Sequence, residues 1–329
     1  MADAFWFTLC AALILFSGSR LSRYGDRIAA LTGLGRAWLG LVLLATVTSL
    51  PELFVGIGSA GIQQNADLAV GDVLGSCVFN LMILSMLDAF HRGPGLLSTV
   101  APKQVLIAAL GIVLLALVGF GLFLPEQIVV MGWVGALSLV FIAVYVVAMR
   151  VVYRHFAQDE GERAGERNDK GMKELRKVLK WYALHAAVVI AAALFLPGLA
   201  EGIMEATGLK ASFVGTLLLA TSTSLPEVAV SVAALRIGAV DMAVSNLLGS
   251  NLFNIVILAI DDIVYQGGFL LKDASEAHLV SVFSTIIMSA VVIVGLTFRM
   301  APKRYLLAWD TFLIAVMYVI NLILLYRIA

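Results

Sequence analysis

The chain has 329 residues, of which 61% are hydrophobic and only 13% are charged, and its mean hydropathy is +0.99. A soluble domain is about half apolar and about a quarter charged, so this composition excludes a large soluble enzyme, a disordered chain and a coiled coil. The 22 Lys and Arg balance 22 Asp and Glu, and the net charge of zero provides no basic surface for nucleic acid. The composition therefore predicts an all-α integral membrane protein that is embedded in the lipid bilayer.

Ten apolar segments have roughly the length of about 20 residues that a helix needs to cross a bilayer core. In chain order they are 4–19, 37–62, 67–88, 104–123, 127–149, 179–199, 211–235, 240–262, 278–298 and 305–326. One long charged stretch, 150–180, separates five segments from the other five. The sequence thus predicts a first five-helix repeat at 1–150, a linker at 151–178 and a second five-helix repeat at 179–329.

The basic residues between the spans predict the orientation, because cytoplasmic loops carry the excess of Lys and Arg. With the N-terminus outside, 19 of the 22 basic residues fall on the cytoplasmic side, and Lys210, Lys272 and Arg327 remain outside. We expect both termini outside, the 150–180 loop in the cytoplasm and the two repeats inverted, since five spans is an odd number. The first span has no basic start and no cleavage site, so we do not expect it to be a signal peptide. A cell (inner or plasma) membrane is the expected location, and an organelle membrane stays open.

Two short sequence blocks occur once in each half of the chain. TSLPE occupies 48–52 and 223–227, which are 175 residues apart, and GSxxFN occupies 75–80 and 249–254, which are 174 residues apart. Two matched blocks at nearly one offset indicate an internal repeat. In inverted halves this is the plan of a secondary transporter, whose binding site lies near the middle of the membrane.

Two carboxylates, Glu52 and Glu227, fall in the middle of spans, where a charge costs about 3 kcal/mol or more and requires a partner or a function. Each follows a proline, Pro51 or Pro226, which removes an amide donor and interrupts the helix. We therefore expect spans 2 and 7 to be broken helices whose freed carbonyls line a cavity. Hydroxyl groups lie in the same two turns, on Thr48, Ser49, Thr223 and Ser224. Oxygen ligands around two negative charges suit a hard cation such as Ca²⁺ or Na⁺.

The spans that follow are expected to form the other wall of this site. Ser76 and Asn80 are four residues apart and share a helix face, as do Ser250 and Asn254. Asp72, one turn earlier, can supply a third charge, a proton-linked site or support for another ligand. Inverted symmetry is expected to bring the two glutamates and the two asparagines together.

Several residues near these blocks have simpler expected roles. Cys77 is expected to be a small packing residue. Asp88, Asp261 and Asp262 fall at span ends, where we expect water to be near.

TSLPE and GSxxFN, repeated in two inverted halves of five spans, resemble the alpha repeats of the calcium/cation antiporter superfamily, most closely those of its sodium/calcium exchangers. The resemblance implies that Glu52 and Glu227 bind Ca²⁺ with backbone oxygens of Thr48 and Thr223. It implies flanking Na⁺ sites formed by Ser49, Ser76, Ser224 and Ser250 with the carbonyls of Ala45 and Ala220. It further implies that spans 1 and 6 slide across the other eight to alternate access.

The predicted function is therefore secondary active antiport of Na⁺ against Ca²⁺, with inorganic cations as the only small-molecule partners, no resident cofactor and no protein partner. The alternative is a proton-coupled antiporter of Ca²⁺ or another divalent cation, although the chain lacks the GNxxE motif that proton/calcium members carry. Asn254 stands where potassium-dependent members usually have an acid, which argues against a K⁺ requirement. A cation channel or an intramembrane enzyme is less well supported, because the broken, repeated helices favour a transporter and no Ser–His pair or metal-ligand cluster falls at suitable depth.

Overall fold

The computed structural model describes residues 2–124, 129–131, 133–157, 169–207, 221–299, 303 and 306–328. Within these ranges the chain is almost entirely helical, and nine helices are long and apolar enough to cross a membrane. The tenth predicted segment, 211–235, is described only from residue 221 onward. The all-α multi-pass fold predicted from composition is thus confirmed.

The helices follow one another with short connections. In chain order they are α1 (Ala2–Thr32), α2 (Arg36–Leu39), α3 (Ala45–Thr48), α4 (Leu50–Ile57), α5 (Ala66–Phe90), α6 (Leu96–Thr99), α7 (Gln104–Phe123), α8 (Ala136–Ala157), α9 (Asp169–Thr207), α10 (Leu225–Arg236), α11 (Val240–Val264), α12 (Leu270–Asp273), α13 (Leu279–Phe298) and α14 (Trp309–Ile328). The π-helical segments Gly40–Leu44 and Gly58–Ile62 lie beside α3 and α4, and a 3₁₀ turn, Glu276–His278, precedes α13. Two short strands, β1 (Val129–Met131) and β2 (Val134–Gly135), pair antiparallel before α8.

Two helices extend far beyond the apolar segments that predicted them. The first has 31 residues where the apolar segment is 4–19, and α9 has 39 residues where the segment is 179–199. Hydropathy marks only the part of a helix that contacts lipid, whereas Arg, Lys and Glu are good helix formers that continue a helix into water. For the same reason α8 and α9 extend into the 151–178 linker from both ends, and residues 158–168 lie outside the described ranges.

The chain divides into two compact units, and each draws on both halves of the sequence. The first unit comprises Met1–Pro51 and Val152–Gly249, and the second comprises Glu52–Val151 and Ser250–Ala329. The two compact units therefore do not coincide with the predicted five-helix repeats, 1–150 and 179–329, which were inferred from sequence symmetry. The division into repeats stays a prediction.

In the first unit, α1 packs along α9 and α10 through small and aliphatic side chains. A buried cluster at this contact consists of Cys10, Ile14, Ala192, Ala193, Leu196 and Ala229. A Cβ added to Gly18 would lie 2.9 Å from the Cβ of Ala229, so glycine is what permits this close approach. The hydroxyl of Ser22 donates to the carbonyl of Val230 at 2.7 Å, which joins α1 to α10. The helix-to-helix distance in this unit is therefore set by small residues.

In the second unit, a buried carboxylate at the end of α5 fastens two other segments. Asp88 Oδ1 accepts the backbone N–H of Leu96 at 2.7 Å. Asp88 Oδ2 accepts the N–H of Ala308 at 2.7 Å and the hydroxyl of Thr311 at 2.6 Å, at the start of α14. Lys303 Nζ lies 3.2 Å from the same carboxylate. Asp88 thus caps α14 and pairs with a lysine.

Asp262, at the end of α11, repeats this arrangement 174 residues later. Its Oδ1 accepts the N–H of Leu270 at 2.9 Å, and its Oδ2 accepts the N–H of Gly135 at 3.1 Å and the hydroxyl of Ser138 at 2.6 Å, at the start of α8. The similarity of the two halves therefore extends beyond the sequence blocks to matched helix caps. The expectation that water lies near Asp88, Asp261 and Asp262 was wrong, because all three are buried in protein and two serve as caps.

Candidate cation-binding site

Both TSLPE blocks contain the same helix break. In the first block α3 ends before Ser49, whose φ of −90° and ψ of 5° are not helical, and α4 then begins. In the second block residues 221–223 are helical, Ser224 has φ −87° and ψ 9°, and α10 follows. Pro51 and Pro226 are each the second residue of the new helix, where a missing N–H removes no helical hydrogen bond. The broken helices are thus confirmed, and the break lies at the serine rather than at the proline.

The break places each glutamate in the first turn of a new helix. Glu52 is 1% exposed and Glu227 is 0% exposed. A helix N-terminus carries a partial positive charge, which favours a carboxylate at this position. The local backbone therefore offsets part of the free energy required to bury each charge.

In the first unit, the serine at the first break contacts the glutamate of the second block. Ser49 Oγ donates to Glu227 Oε1 at 3.2 Å. The hydroxyl of Thr48 and the N–H of Ser49 both bind the carbonyl of Ala45, at 3.3 and 3.0 Å, so a cation at that carbonyl would replace one of these bonds. Ala220, the corresponding predicted ligand, lies outside the described residues.

In the second unit, Ser76 on α5 lies beside the other glutamate. Its hydroxyl donates to Glu52 Oε1 at 3.4 Å. Each unit therefore places a buried serine hydroxyl next to one glutamate carboxylate.

The two asparagines of the GSxxFN blocks also lie in the second unit, and each points its amide nitrogen at the opposite block. Asn80 Nδ2 donates to Asn251 Oδ1 at 3.1 Å, and Asn254 Nδ2 donates to the Sγ of Cys77 at 3.6 Å. The amide oxygens of Asn80 and Asn254 are buried and accept no hydrogen bond from any described residue. Because a buried acceptor without a donor costs free energy, these two oxygens are suited to a cation.

Asn251 was not among the predicted site residues, yet it holds Asn80 in place. Its own Nδ2 donates to the backbone carbonyl of Cys77 at 3.1 Å. Cys77 and Asn251 are equivalent positions of the two blocks, 174 residues apart, so the contacts Asn80–Asn251 and Asn254–Cys77 form a reciprocal pair. The two blocks differ at this position, with GSC at 75–77 and GSN at 249–251. This difference is the sequence signal that points to Asn251, and in the structure the two unlike residues each hold the asparagine of the opposite block. Cys77 is a hydrogen-bonding residue as well as a packing one.

The predicted site residues thus fall into two groups, one in each unit. The first unit contains Ala45, Thr48, Ser49, Thr223, Ser224 and Glu227, and the second contains Glu52, Asp72, Ser76, Asn80, Ser250 and Asn254. All twelve are buried.

Broken membrane helices that carry buried carboxylates, together with amide oxygens that accept from no described residue, are features that suit a membrane transporter of cations. Residues 3–153 and 179–327 match the sodium/calcium exchanger protein family, and the chain belongs to this family.

Individual relatives and a solved structure agree with this assignment. The sodium/calcium exchanger MaX1 of Methanosarcina acetivorans is 26% identical over an alignment 365 residues long, gaps included, which covers 98% of this chain and 99% of the relative. The putative antiporter CaxA of Alkalimonas amylolytica is 27% identical over 266 residues, 78% of each chain. The structure of the sodium-calcium exchanger NCX_Mj soaked with 10 mM Na⁺ and zero Ca²⁺ has a TM-score of 0.75 with this chain at 20% identity, covering 98% of both. That similarity shows a common fold.

Proposed function

We propose that this protein is a secondary active antiporter that exchanges Na⁺ for Ca²⁺ by alternating access. The observation that carries the proposal is the pair of buried glutamates at two equal helix breaks, in a chain of the sodium/calcium exchanger family. A carboxylate buried in a membrane needs a counter-charge or a function, and a transported cation provides both.

The proposed central site consists of Glu52, Glu227, Asn80 and Asn254. The buried carboxylates, and the amide oxygens that accept from no residue in the described part of the chain, support this ligand set. Two ionised glutamates carry a charge of −2, which one Ca²⁺ or two Na⁺ neutralise. One kind of cation must therefore leave before the other binds, and this competition for shared oxygens is the physical basis of exchange.

The serines beside the glutamates are proposed to complete flanking Na⁺ sites. Ser49 and Ser76 already contact a carboxylate, and rotation of either hydroxyl presents its oxygen to a cation. The remaining proposed Na⁺ ligands are Ser224, Ser250 and the carbonyls of Ala45 and Ala220, while Thr48 and Thr223 contribute backbone oxygens to Ca²⁺.

Alternating access is proposed to use the first and sixth spans as the moving part. The corresponding helices α1 and α9 pack on each other over much of their length within one compact unit, which suits movement as a single body. The proposed location is the cell membrane, with both termini outside and the 150–180 loop in the cytoplasm.

A second candidate, proton-coupled Ca²⁺ antiport, is favoured by one observation. Asp72 is a buried acid beside the motif residues, at the position where the second half of the chain has Asn246. A carboxyl group that changes protonation during the cycle would couple transport to a pH gradient.

Ca²⁺ uptake into proteoliposomes separates the two functions. Vesicles loaded with Na⁺ are diluted into Na⁺-free buffer that contains Ca²⁺, and the control vesicles are loaded with choline at the same pH. We expect uptake only with the outward Na⁺ gradient. Uptake that requires a pH gradient and ignores Na⁺ would replace the Na⁺ proposal with the proton-coupled one.

A further inference from the structure

Two buried acids of the second unit lie outside the motif blocks. Asp72 is on α5, one turn before Ser76, whose hydroxyl contacts Glu52, and Asp261 is on α11. Asp261 is 0% exposed, and neither of its carboxylate oxygens accepts a hydrogen bond from any described residue. A buried carboxylate without donors is among the most unfavourable groups in a protein interior, so Asp261 requires a proton or a cation, which no described residue supplies.

The backbone around Asp261 is shaped to receive its carboxylate. A Cβ added to Gly56 on α4 would lie 2.5 and 2.6 Å from the two carboxylate oxygens, so any side chain at this position would occupy their space. Gly56 is one helical turn beyond Glu52. The Asp261 carboxylate therefore lies against α4 one turn away from a proposed Ca²⁺ ligand.

The equivalent positions in the other half of the sequence carry no acid. Asp72 corresponds to Asn246 and Gly56 to Ser231, and these two form a neutral hydrogen bond, Asn246 Nδ2 to Ser231 Oγ, at 3.1 Å. Asp261 corresponds to Leu87. The positions equivalent to the two acids are therefore neutral, so the acids have no counterpart in the other half of the repeat.

The helices α5 and α11 place the two acids on the same side of the motif residues. Asp72 is one turn before Ser76 on α5, and Asp261 is two turns after Asn254 on α11. Both positions are displaced from the motif residues toward the N-terminal end of α5. In the predicted orientation this end is the external one.

We propose that Asp72 and Asp261 form a second cation site, which binds Ca²⁺ between the external end of the second unit and Glu52. Two carboxylates can supply up to four oxygens and a charge of −2, which matches one Ca²⁺. The inference rests on the proposed function and adds an outer binding step on the same ion path.

Equilibrium binding of radioactive Ca²⁺ to the purified full chain in detergent tests this site apart from the central one. In the double variant Glu52→Gln/Glu227→Gln we expect about one Ca²⁺ per chain to remain bound, with a Kd at least tenfold weaker than that of the wild type. Adding Asp261→Asn to this background should abolish the remaining binding. The matched control adds Asp310→Asn to the same double variant. Like Asp261, Asp310 is a buried acid packed on a helix glycine, Gly295, but its carboxylate accepts the N–H of Thr311. The control should leave the binding unchanged.

Each outcome decides the proposal. A double variant that keeps the wild-type melting temperature but binds no Ca²⁺ overturns the second site, and so does binding that survives Asp261→Asn. If Asp261→Asn does not fold, Asp261→Leu, which introduces the residue of the equivalent position 87, replaces it with the same expected loss. Exchange activity of the double variant is measured separately, because persistent exchange contradicts the proposed central site while the binding result still decides the outer one.

Discussion

At the scale of single residues, the candidate site depends on how amide groups are oriented. Asn80 and Asn254 can offer oxygens to a cation only because their nitrogens are held elsewhere, by Asn251 and by Cys77. An asparagine whose nitrogen is free can rotate and present a donor to the cation instead of an acceptor. The residues that orient the ligands are therefore part of the site.

Asn251→Ala tests this orientation. The substitution removes the acceptor of Asn80 Nδ2, and we expect the KM for Ca²⁺ in proteoliposome uptake to rise about tenfold, as it does when groups that orient metal ligands are removed. The control is Asn321→Ala, which truncates a buried asparagine on α14 whose amide oxygen also has no donor among the described residues. An unchanged KM in Asn251→Ala, or an equal rise in the control, would show that Asn80 needs no orienting partner.

At the scale of secondary-structure elements, close helix contacts are made by specific glycines. A Cβ on Gly249 would lie 2.7 Å from the carbonyl oxygen of Leu41 and 3.0 Å from the Cβ of Ala45, so this glycine brings α11 directly onto the backbone that precedes the first break. Backbone atoms cannot move aside as the end of a flexible side chain can.

Gly249→Ala is expected to destabilise the protein by about 1–3 kcal/mol, the usual effect of overpacking. The matched control is Gly111→Ala on α7, where the nearest atom to an added Cβ is 3.9 Å away. Because alanine is the better helix former, the control should keep or raise stability by up to about 1 kcal/mol. Thermal unfolding in detergent measures both, and a melting temperature that falls equally in the two variants would contradict the close contact at Gly249.

The two aspartate caps allow a second comparison of elements. Asp88→Asn should cost about 3–5 kcal/mol, because it leaves the nearly buried Lys303 without its carboxylate. Asp262→Asn loses charge-assisted hydrogen bonds only, and a cost of about 1–3 kcal/mol is expected. Thermal unfolding of the two variants side by side checks the order, which would be refuted if Asp262→Asn proved the more damaging.

At the scale of the whole molecule, the lipid environment explains which features could be predicted from sequence. In a membrane, backbone groups must be satisfied within helices, so apolar length alone indicates the helical class. Paired TSLPE blocks indicated the two breaks, because proline fits the first turn of a helix but not its interior, so a break is expected just before each proline. Asp261 and Asn251 were not predicted as site residues, because their roles depend on contacts between segments far apart in the chain. The buried caps at Asp88 and Asp262 were missed for the same reason.

The orientation of the whole chain rests on the distribution of basic residues and can be measured by cysteine labelling. Met172→Cys, at an exposed position in the linker region, should react with a membrane-impermeant maleimide only in inside-out vesicles. Lys272→Cys, also exposed, should react only in right-side-out vesicles or intact cells. The native Cys10 and Cys77 are buried and serve as the unreactive background. Labelling of both positions from the same side would overturn the topology.

The central claim is that Glu52 and Glu227 carry the transported cations, and Na⁺-driven Ca²⁺ uptake in the single variants tests it most directly. Glu52→Gln and Glu227→Gln keep the shape of each side chain and remove its charge, so each should reduce the initial uptake rate at least 100-fold while the melting temperature stays near that of the wild type. The control, Asp310→Asn, neutralises a buried acid outside the site and should keep most of the activity. Uptake in either glutamine variant at the wild-type rate would contradict the account.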